Sequence, residues 1–339
     1  MAEQPKNFGF GEDEVMLRDS ARKFLNDHCS SDKLHRLVAS DFNLDRPNDC
    51  VWDQGLWQQI VDLGWTAVCV PEAAGGIGMP TVAAISLAEE VGRVAFPSPL
   101  IATLSATFVL NACDSAAATN ALTDIAAGKA TALALTNTDG QWDSTATGVQ
   151  VNAAGRLDGL AAFVQDARKC AQFIVSARSD AGVGLYLVSG AADGLTVTPD
   201  SIIDLTRDQA RLTFENVEAI ELAAPGTGDA AIDAALPALL CLISADMVGA
   251  GEWLLQTTVE YAKTRVQFDH PLGFFQAVKH PLVNVMLQVD NAKSLTYHAG
   301  CAFDHDPAEA LRLARMAKSE ASDMAVFSSS RAVQFHGGI

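Results

Sequence analysis

The spacing of apolar residues changes twice along the 339-residue chain, and this change restricts the fold most strongly. Up to about residue 125, apolar residues recur at helical spacing, as at Leu56, Ile60 and Leu63. Between about 128 and 222, short β-rich runs alternate with turn residues, a pattern typical of a small barrel or sandwich. Helical spacing then returns. The sequence predicts an α+β fold with a helical domain (1–126), a β domain (127–226) and a second helical domain (227–339).

Charge and hydropathy exclude several functions. The formal net charge is −18, and no basic cluster offsets it, so the surface repels nucleic-acid phosphates. No uninterrupted apolar run reaches the roughly 18–20 residues that span a bilayer, since the longest, residues 234–243, contains Pro237. The first residues lack the basic and apolar regions of a signal peptide. We therefore expect a cytoplasmic protein without a membrane span or nucleic-acid partner.

Common catalytic and metal-binding motifs are missing from the sequence. The seven cysteines form no CxxC pair and the histidines no HxxxH pair, so we expect free thiols and no metal site. There is no GxSxG motif of a serine hydrolase. The glycine-rich run at 71–78 follows a strand-like "TAVCV", but it lacks the GxGxxG spacing of a dinucleotide-binding loop and is interpreted as a tight turn.

One connection between two helical segments carries more chemistry than a linker needs. Residues 265–280 read "RVQFDHPLGFFQAVKH", and "QFHGG" follows at 334–338. These motifs, with "LWQQIVDLGWTAVCVPEAAGGIG" and "LAEEVGR" nearer the start, resemble the acyl-CoA dehydrogenase family over nearly the whole chain. The resemblance implies an N-terminal helical domain, a middle β-barrel domain and a C-terminal helical bundle. It also implies FAD as cofactor and α,β-dehydrogenation of an acyl-CoA thioester.

The resemblance assigns the ADP part of FAD to the C-terminal motifs. An arginine offers a forked cation to pyrophosphate, an aromatic ring offers a flat face, and glycine lets backbone N–H groups approach phosphates. In this family the neighbouring subunit holds the ADP end, which implies a homo- or hetero-oligomer with shared FAD sites and an electron-transfer acceptor. The matching residues are Arg265, Phe268, Gln276, Gln334, Gly337 and Gly338.

The flavin-ring motifs match the family less closely. Thr136 is kept in the first motif, but Asn137 replaces a glutamate, while Asp143 falls at the position of that motif's aspartate. In the second motif Phe163 replaces a tryptophan, and Gln165 replaces a serine or threonine. The resemblance assigns Thr136 and Gln165 to the flavin ring, and the amide of Gln165 can still donate a hydrogen bond to flavin N5.

The catalytic base is the second departure. The reaction needs a carboxylate that removes the α proton. One family position for this glutamate lies beyond Ile339, and the other matches Leu239, which cannot act as a base. Asp246, seven residues further along the same helical face, is the candidate base. Alternatively it is a buried aspartate bonded to a neighbouring helix, or it lies at the solvated edge of a helix packing seam. Glu89 and Glu90 are assigned to packing or to the surface.

Two functions follow from this pattern. The first is a catalytic acyl-CoA dehydrogenase with Asp246 as its base. The second is a non-catalytic or half-site subunit of a hetero-oligomeric enzyme, which lends ADP-binding residues to a catalytic partner. Some bacterial members of the family that act on steroid thioesters are assemblies of this kind. A steroid-derived or other large acyl-CoA is therefore a candidate substrate.

Overall fold

The structure, a computed structural model, describes residues 5–39, 50 and 52–337. Side-chain capping defines two of the helix starts, because Asp53 accepts the N–H groups of Gly55 and Leu56, and Ser115 accepts that of Ala118. The helices are α1 (Glu12–His28), α2 (Ser31–Ala39), α3 (Gln54–Asp62), α4 (Thr81–Arg93), α5 (Leu100–Asn111), α6 (Ala116–Ala126), α7 (Gly228–Thr264), α8 (Gln276–His305) and α9 (Pro307–His336).

The strands lie mainly in the middle of the chain. They are β1 (Thr131–Ala134), β2 (Val149–Val151), β3 (Leu157–Gln165), β4 (Gln172–Ser179), β5 (Gly182–Ser189), β6 (Leu195–Pro199), β7 (Gln209–Val217) and β8 (Ile220–Ala223), with a later pair, β9 (Val266–Gln267) and β10 (His270–Pro271). The first eight form a mixed sheet in the order β6-β7-β3-β2-β4-β5-β8, with β1 parallel to β4. The predicted order of helical, β and helical regions is confirmed.

One compact unit contains α1, α4, most of α7, α8 and α9. Its apolar core is formed by Val248 of α7, Val285, Val289 and Ala292 of α8, and Ala321 and Met324 of α9. Helices α4 and α7 cross at very close range, since a Cβ on Gly92 would lie 2.0 Å from the carbonyl oxygen of Asp246. A Cβ on Gly249 would similarly lie 1.9 Å from the carbonyl oxygen of Glu89. Glycine at both positions therefore permits this crossing.

The other compact unit contains α2, α3, α5, α6 and the eight-stranded sheet. Its core is built from alternating strand residues, among them Phe173 and Val175 of β4 and Leu212 and Phe214 of β7. The hydroxyl of Thr103 in α5 accepts the N–H of Thr131 at the start of β1 (3.2 Å). The buried strand residues thus form the interior of this unit.

The apolar pattern of residues 236–264 predicts one long helix with Pro237 near its first turn. The helix instead begins at Gly228, so Pro237 lies inside it. Helix α7 is also long and apolar enough to cross a membrane by length and composition, although no single uninterrupted apolar run is. The apolar 18-residue stretch of this helix is 61% buried inside the protein. Burial in the core accounts for its apolar composition.

Candidate functional site

The connection between α7 and α8 is a tight hairpin that points its aromatic side chains outward. Strands β9 and β10 pair antiparallel, and Phe268 and Asp269 form the turn with φ angles of 53° and 60°. Both are left-handed residues with side chains, which cost more there than glycine. Phe268 is 86% exposed, and Phe274 is also exposed. The hairpin therefore presents an apolar surface that the described part of this chain does not cover.

Arg265 and Gln276 flank this hairpin. The N–H of Leu272 donates to the carbonyl of Arg265 (2.8 Å), which folds the connection back toward the end of α7. Arg265 is the first residue after α7, and Gln276 is the first residue of α8. Both are exposed, and neither side chain makes a hydrogen bond or ion pair with any residue that the structure describes. A cation and an amide are thus available to a ligand.

The end of α9 lies beside the end of α7. The rings of Tyr261 and His336 stack with centroids 4.5 Å apart, and the Tyr261 hydroxyl donates to the His336 carbonyl (3.5 Å). Gly337 follows with a φ of 73°, and a Cβ there would have no neighbour within 4 Å among the described residues, while Gln334 is exposed. Tyr261 lies one turn before Arg265, so two motifs that are distant in sequence meet at one end of the helical unit. Gly338 lies outside the described residues.

We call this surface the bundle end, and it is defined by Arg265, Phe268, Phe274, Gln276, Gln334 and Gly337. Its members are a cation, two aromatic rings, two amides and a flexible backbone position. The combination suits a ligand with a pyrophosphate and flat rings.

The two residues assigned to the flavin ring, Thr136 and Gln165, lie in the other unit. Thr136 is buried, its hydroxyl donates to the carbonyl of Ala162, and its carbonyl accepts the N–H of Ala162 (3.0 Å). Phe163 then adopts a φ of 57°, where the pairing of β3 with β7 shifts register. Gln165 ends β3 half-buried, opposite Gln209, and its side-chain amide has no hydrogen-bond partner among the described residues.

The substituted positions of the flavin motifs have local roles. Asn137 accepts the N–H groups of Asp139 and Gln141 through its side-chain oxygen, so it shapes the loop after β1. A Cβ on Gly140 would lie 3.3 Å from the ring of Phe163, which therefore covers this loop. Hydrogen bonds from Thr145 lower the pKa of the exposed Asp143 carboxyl.

The candidate base lies in the tight crossing of α4 and α7. Asp246 is half-buried, and its backbone carbonyl faces Gly92. Leu239, which matches the family position of the base, is buried. The backbone of the candidate base thus lies at the closest approach of α4 and α7.

A buried charge network in the helical unit escaped the sequence reasoning. Glu89 and Glu90 of α4 are 0% and 1% exposed, so their assignment to packing is correct and the surface alternative is wrong. Lys293 of α8 binds Glu89 (2.7 Å) and Glu252 of α7 (3.1 Å). Arg22 of α1 binds Glu90 through two nitrogens, the closer at 2.6 Å.

Opposite charges balance within this network. Its cations are Arg22, Arg93 and Lys293, and its anions are Glu89, Glu90 and Glu252. Burial raises the pKa of the Glu89 carboxyl, while the ammonium group of Lys293 works against that rise. The signal in the sequence was the pair of glutamates within the otherwise apolar pattern of α4.

Within residues 5–39, 50 and 52–337, no group of three or more histidine, cysteine, aspartate or glutamate side chains is arranged to hold a metal ion. All seven cysteines are free thiols. The expectation of free thiols is therefore confirmed.

Comparison with known proteins gives consistent matches. Residues 11–129 match the family description "Acyl-CoA dehydrogenase, N-terminal domain", and residues 229–339 match "Acyl-CoA dehydrogenase, C-terminal domain". Acyl-CoA dehydrogenase IpdE2 of Mycobacterium tuberculosis is 29% identical over 97% of this chain and 86% of that protein. The mitochondrial short/branched chain specific acyl-CoA dehydrogenase of Bos taurus is 24% identical over 97% of this chain and 78% of that protein.

A solved structure also resembles the chain throughout its length. A variant of the Tcur3481-Tcur3483 steroid ACAD has a TM-score of 0.84 and 29% identity, over 97% of this chain and 88% of that one.

Proposed function

Because the chain belongs to the acyl-CoA dehydrogenase family of FAD-dependent oxidoreductases, we propose that it is the half-site subunit of a hetero-oligomeric acyl-CoA dehydrogenase. In this role its bundle end holds the ADP part of FAD, and a partner chain supplies the flavin-ring site and the catalytic base. When bound, FAD accepts the hydride that leaves the β carbon of the acyl-CoA.

The bundle end is the observation that carries this proposal. Its arginine and both glutamines are exposed and without side-chain partners in the described chain, and Phe268 is almost fully exposed. These groups fit an ADP moiety, since Arg265 can bind pyrophosphate oxygens in a fork and Phe268 can cover a flat ring or ribose. A Cβ on Gly337 would have no neighbour within 4 Å among the described residues, so this position can admit a phosphate close to the backbone.

The features of the other candidate positions favour a partner with its own base. Leu239 occupies the matching position of the base, and the alternative, Asp246, lies at the close crossing of two helices. In the sheet unit, the Thr136 hydroxyl is already bonded to a backbone carbonyl, and Phe163 packs on the loop at Gly140. Among the residues at the flavin-ring motif positions, only Gln165 has a side-chain amide without a hydrogen-bond partner in the described residues.

A catalytic chain with Asp246 as its base is the second candidate. Its support is that Asp246 is half-buried and lies on a helix of the same unit as the bundle end. An aspartate is one methylene shorter than a glutamate, so the substrate would have to approach this helix closely.

The relatives suggest the partner and the substrate class. The 29% identical structure is that of a Tcur3481-Tcur3483 steroid ACAD, a name that joins two proteins. We therefore expect a second acyl-CoA dehydrogenase chain as partner, a steroid-derived or similarly bulky acyl-CoA as substrate, and an electron-transfer protein as acceptor, all in the cytoplasm. The division into domains 1–126, 127–226 and 227–339 is also kept as a prediction.

The deciding experiment compares the chain alone with the chain assembled with such a partner. We expect the chain alone to lack the visible flavin spectrum and to be inert with acyl-CoA, and the assembly to contain FAD and to be active. A chain that purifies alone with stoichiometric FAD and oxidises acyl-CoA would overturn the half-site role.

Asp246→Asn then separates the two candidates, since asparagine has nearly the same shape but cannot take a proton. Activity of the assembly that survives the change assigns the base to the partner. A loss of about 10²–10⁴-fold in kcat with unchanged flavin content assigns it to Asp246.

A further inference from the structure

Two aromatic rings join the separate segments that form the bundle end. Tyr261 belongs to the last turns of α7, and His336 is the last residue of α9. Their planes are tilted by only 23° at a centroid distance of 4.5 Å, and the Tyr261 hydroxyl reaches the His336 carbonyl. This pair, which we call the aromatic latch, connects positions 75 residues apart in the chain.

Each ring is fixed within its own helix end. The carbonyl of Tyr261 accepts the N–H of Arg265 (2.9 Å), so the tyrosine backbone supports the turn from which the arginine leaves. Nδ1 of His336 lies 2.8 Å from the carbonyl oxygen of Ala332, and since a carbonyl only accepts, Nδ1 carries the proton. The backbone of His336 continues directly into Gly337. A shift of either ring would therefore move one half of the bundle end relative to the other.

A ligand that bridges two segments binds more tightly when their separation is already set. Arg265 precedes a hairpin with two left-handed turn residues, and Gly337 follows the last residue of its helix. Without a link between them, binding would have to order both segments at once and would lose affinity. The latch provides this link with groups that face each other and not the ligand.

We propose that Tyr261 and His336 are positioning residues that hold Arg265 and Gly337 at the separation required by the ADP part of FAD. The inference rests on the proposed function, because it assigns the bundle end to ADP. It adds two residues that hold the site without touching the cofactor.

The test uses the assembled holoenzyme and the dissociation constant of FAD, measured after flavin removal by titration with FAD and flavin fluorescence. Stacked aromatic pairs contribute about 0.5–1.5 kcal/mol, so Tyr261→Ala should weaken FAD binding by about two- to twelvefold. Tyr261→Phe keeps the stacking face and should stay within about twofold of the parent. His336→Ala should weaken binding as Tyr261→Ala does.

A control comes from another aromatic pair in the same unit. Phe24 and His28 of α1 have ring centroids 4.4 Å apart, with their planes tilted by 33°. Phe24→Ala removes a similar ring contact far from the bundle end in sequence, and FAD affinity should not change. Urea denaturation of all variants measures the stability loss that a merely structural stack would cause.

The outcomes separate the latch from the proposed function. The latch is overturned if Tyr261→Ala and His336→Ala lose stability but bind FAD like the parent, or if Tyr261→Phe weakens FAD as strongly as alanine does. In either case, weaker binding by Arg265→Ala would leave the proposed function intact. If Arg265→Ala also binds FAD normally, the bundle end is not the ADP site and the proposed function fails first.

Discussion

The buried charge network and the bundle end use the same kinds of side chain in opposite ways. In the network, each cation faces a carboxylate of the same chain, and Glu89 and Glu90 are fully enclosed. At the bundle end, Arg265 faces no carboxylate that the structure describes, and Phe268 is exposed. Charges that are satisfied within the chain stabilise the fold. Charges and rings left open by an otherwise well-packed unit indicate a ligand or partner from outside.

The largest expected effect comes from breaking the network. Lys293→Met removes the ammonium group from the enclosed Glu89 and should lower the free energy of unfolding by about 3–5 kcal/mol, because a buried carboxylate loses its partner. Urea denaturation at pH 8 measures this loss. A change below the error of that measurement would mean that the network does not stabilise the fold.

This loss should depend on pH in a defined direction. Burial raises the pKa of Glu89 above its ordinary value of 4.5 in the folded protein, and removing Lys293 raises it further. A carboxyl whose pKa is higher in the folded than in the unfolded protein contributes stability while the pH is below its unfolded pKa. This contribution is lost as the pH rises through its folded pKa. The penalty of Lys293→Met should therefore be small near pH 4 and full at pH 8, as shown by denaturation curves across this range.

Arg265→Ala should produce the reverse pattern. The change removes a charge-assisted contact to pyrophosphate worth about 1.5–3 kcal/mol, which is one to two decades in FAD affinity. Since the guanidinium has no partner in the described chain, the stability of the chain alone should not change. The loss of FAD affinity is measured as the flavin content after dialysis of the assembled enzyme, and the stability of the chain alone is measured by urea denaturation. Unchanged flavin content would exclude the arginine from the site.

Phe268→Gly should sharpen the contrast at a single position. Glycine adopts the φ of 53° without the cost of a side chain, so the chain alone should gain about 0.5–1 kcal/mol of stability. The assembled enzyme should nevertheless bind FAD less tightly, because the exposed ring is lost. If FAD affinity is unchanged, the exposed phenylalanine serves another contact.

The smallest effect is expected at a surface ion pair, which serves as a control for the network. Lys129 and Asp124 lie 2.9 Å apart and are 44% and 45% exposed. Lys129→Met should change the free energy of unfolding by less than about 0.5 kcal/mol, since solvent screens exposed pairs. A loss as large as that of Lys293→Met would mean that lysine removal itself, and not burial of the pair, is responsible.

The sequence predicted much of the fold because the apolar spacing is strong in the long helices and in strands β4 to β7. It failed where local preference and tertiary context disagree. The valine-rich "TAVCV" resembles a strand, but the N–H of Ala67 bonds to the carbonyl of Gly64, and the segment forms a short 3-10 turn at Trp65–Ala67. Strand β3, which ends at Gln165, has a weak strand signal in the sequence because its alanines and Gly159 are poor strand formers.

The site residues likewise divide into those that the sequence predicted and those that it did not. The bundle-end residues other than Phe274 were named from motifs, since a resemblance carries over residue by residue. The network was not, because its partners are far apart in sequence: Glu89 and Lys293 are separated by 204 positions, and Arg22 and Glu90 by 68. The stacking of Tyr261 on His336 was not predicted for the same reason, because the two residues are far apart in the sequence. Only the folded chain brings such residues together.

The helical unit draws on both ends of the chain, and this has a consequence for its synthesis. Helices α1 and α4 leave the ribosome before the sheet, but α8 and α9 leave last. At roughly 5–20 residues per second, about ten to fifty seconds separate the emergence of Arg22 from that of Lys293. During this interval the sheet unit can fold alone. Helices α1 and α4 still lack α8 and α9, so their apolar faces and glutamates remain exposed to water. We expect chaperones to bind the nascent chain at these two helices, and slowing translation should lengthen that contact.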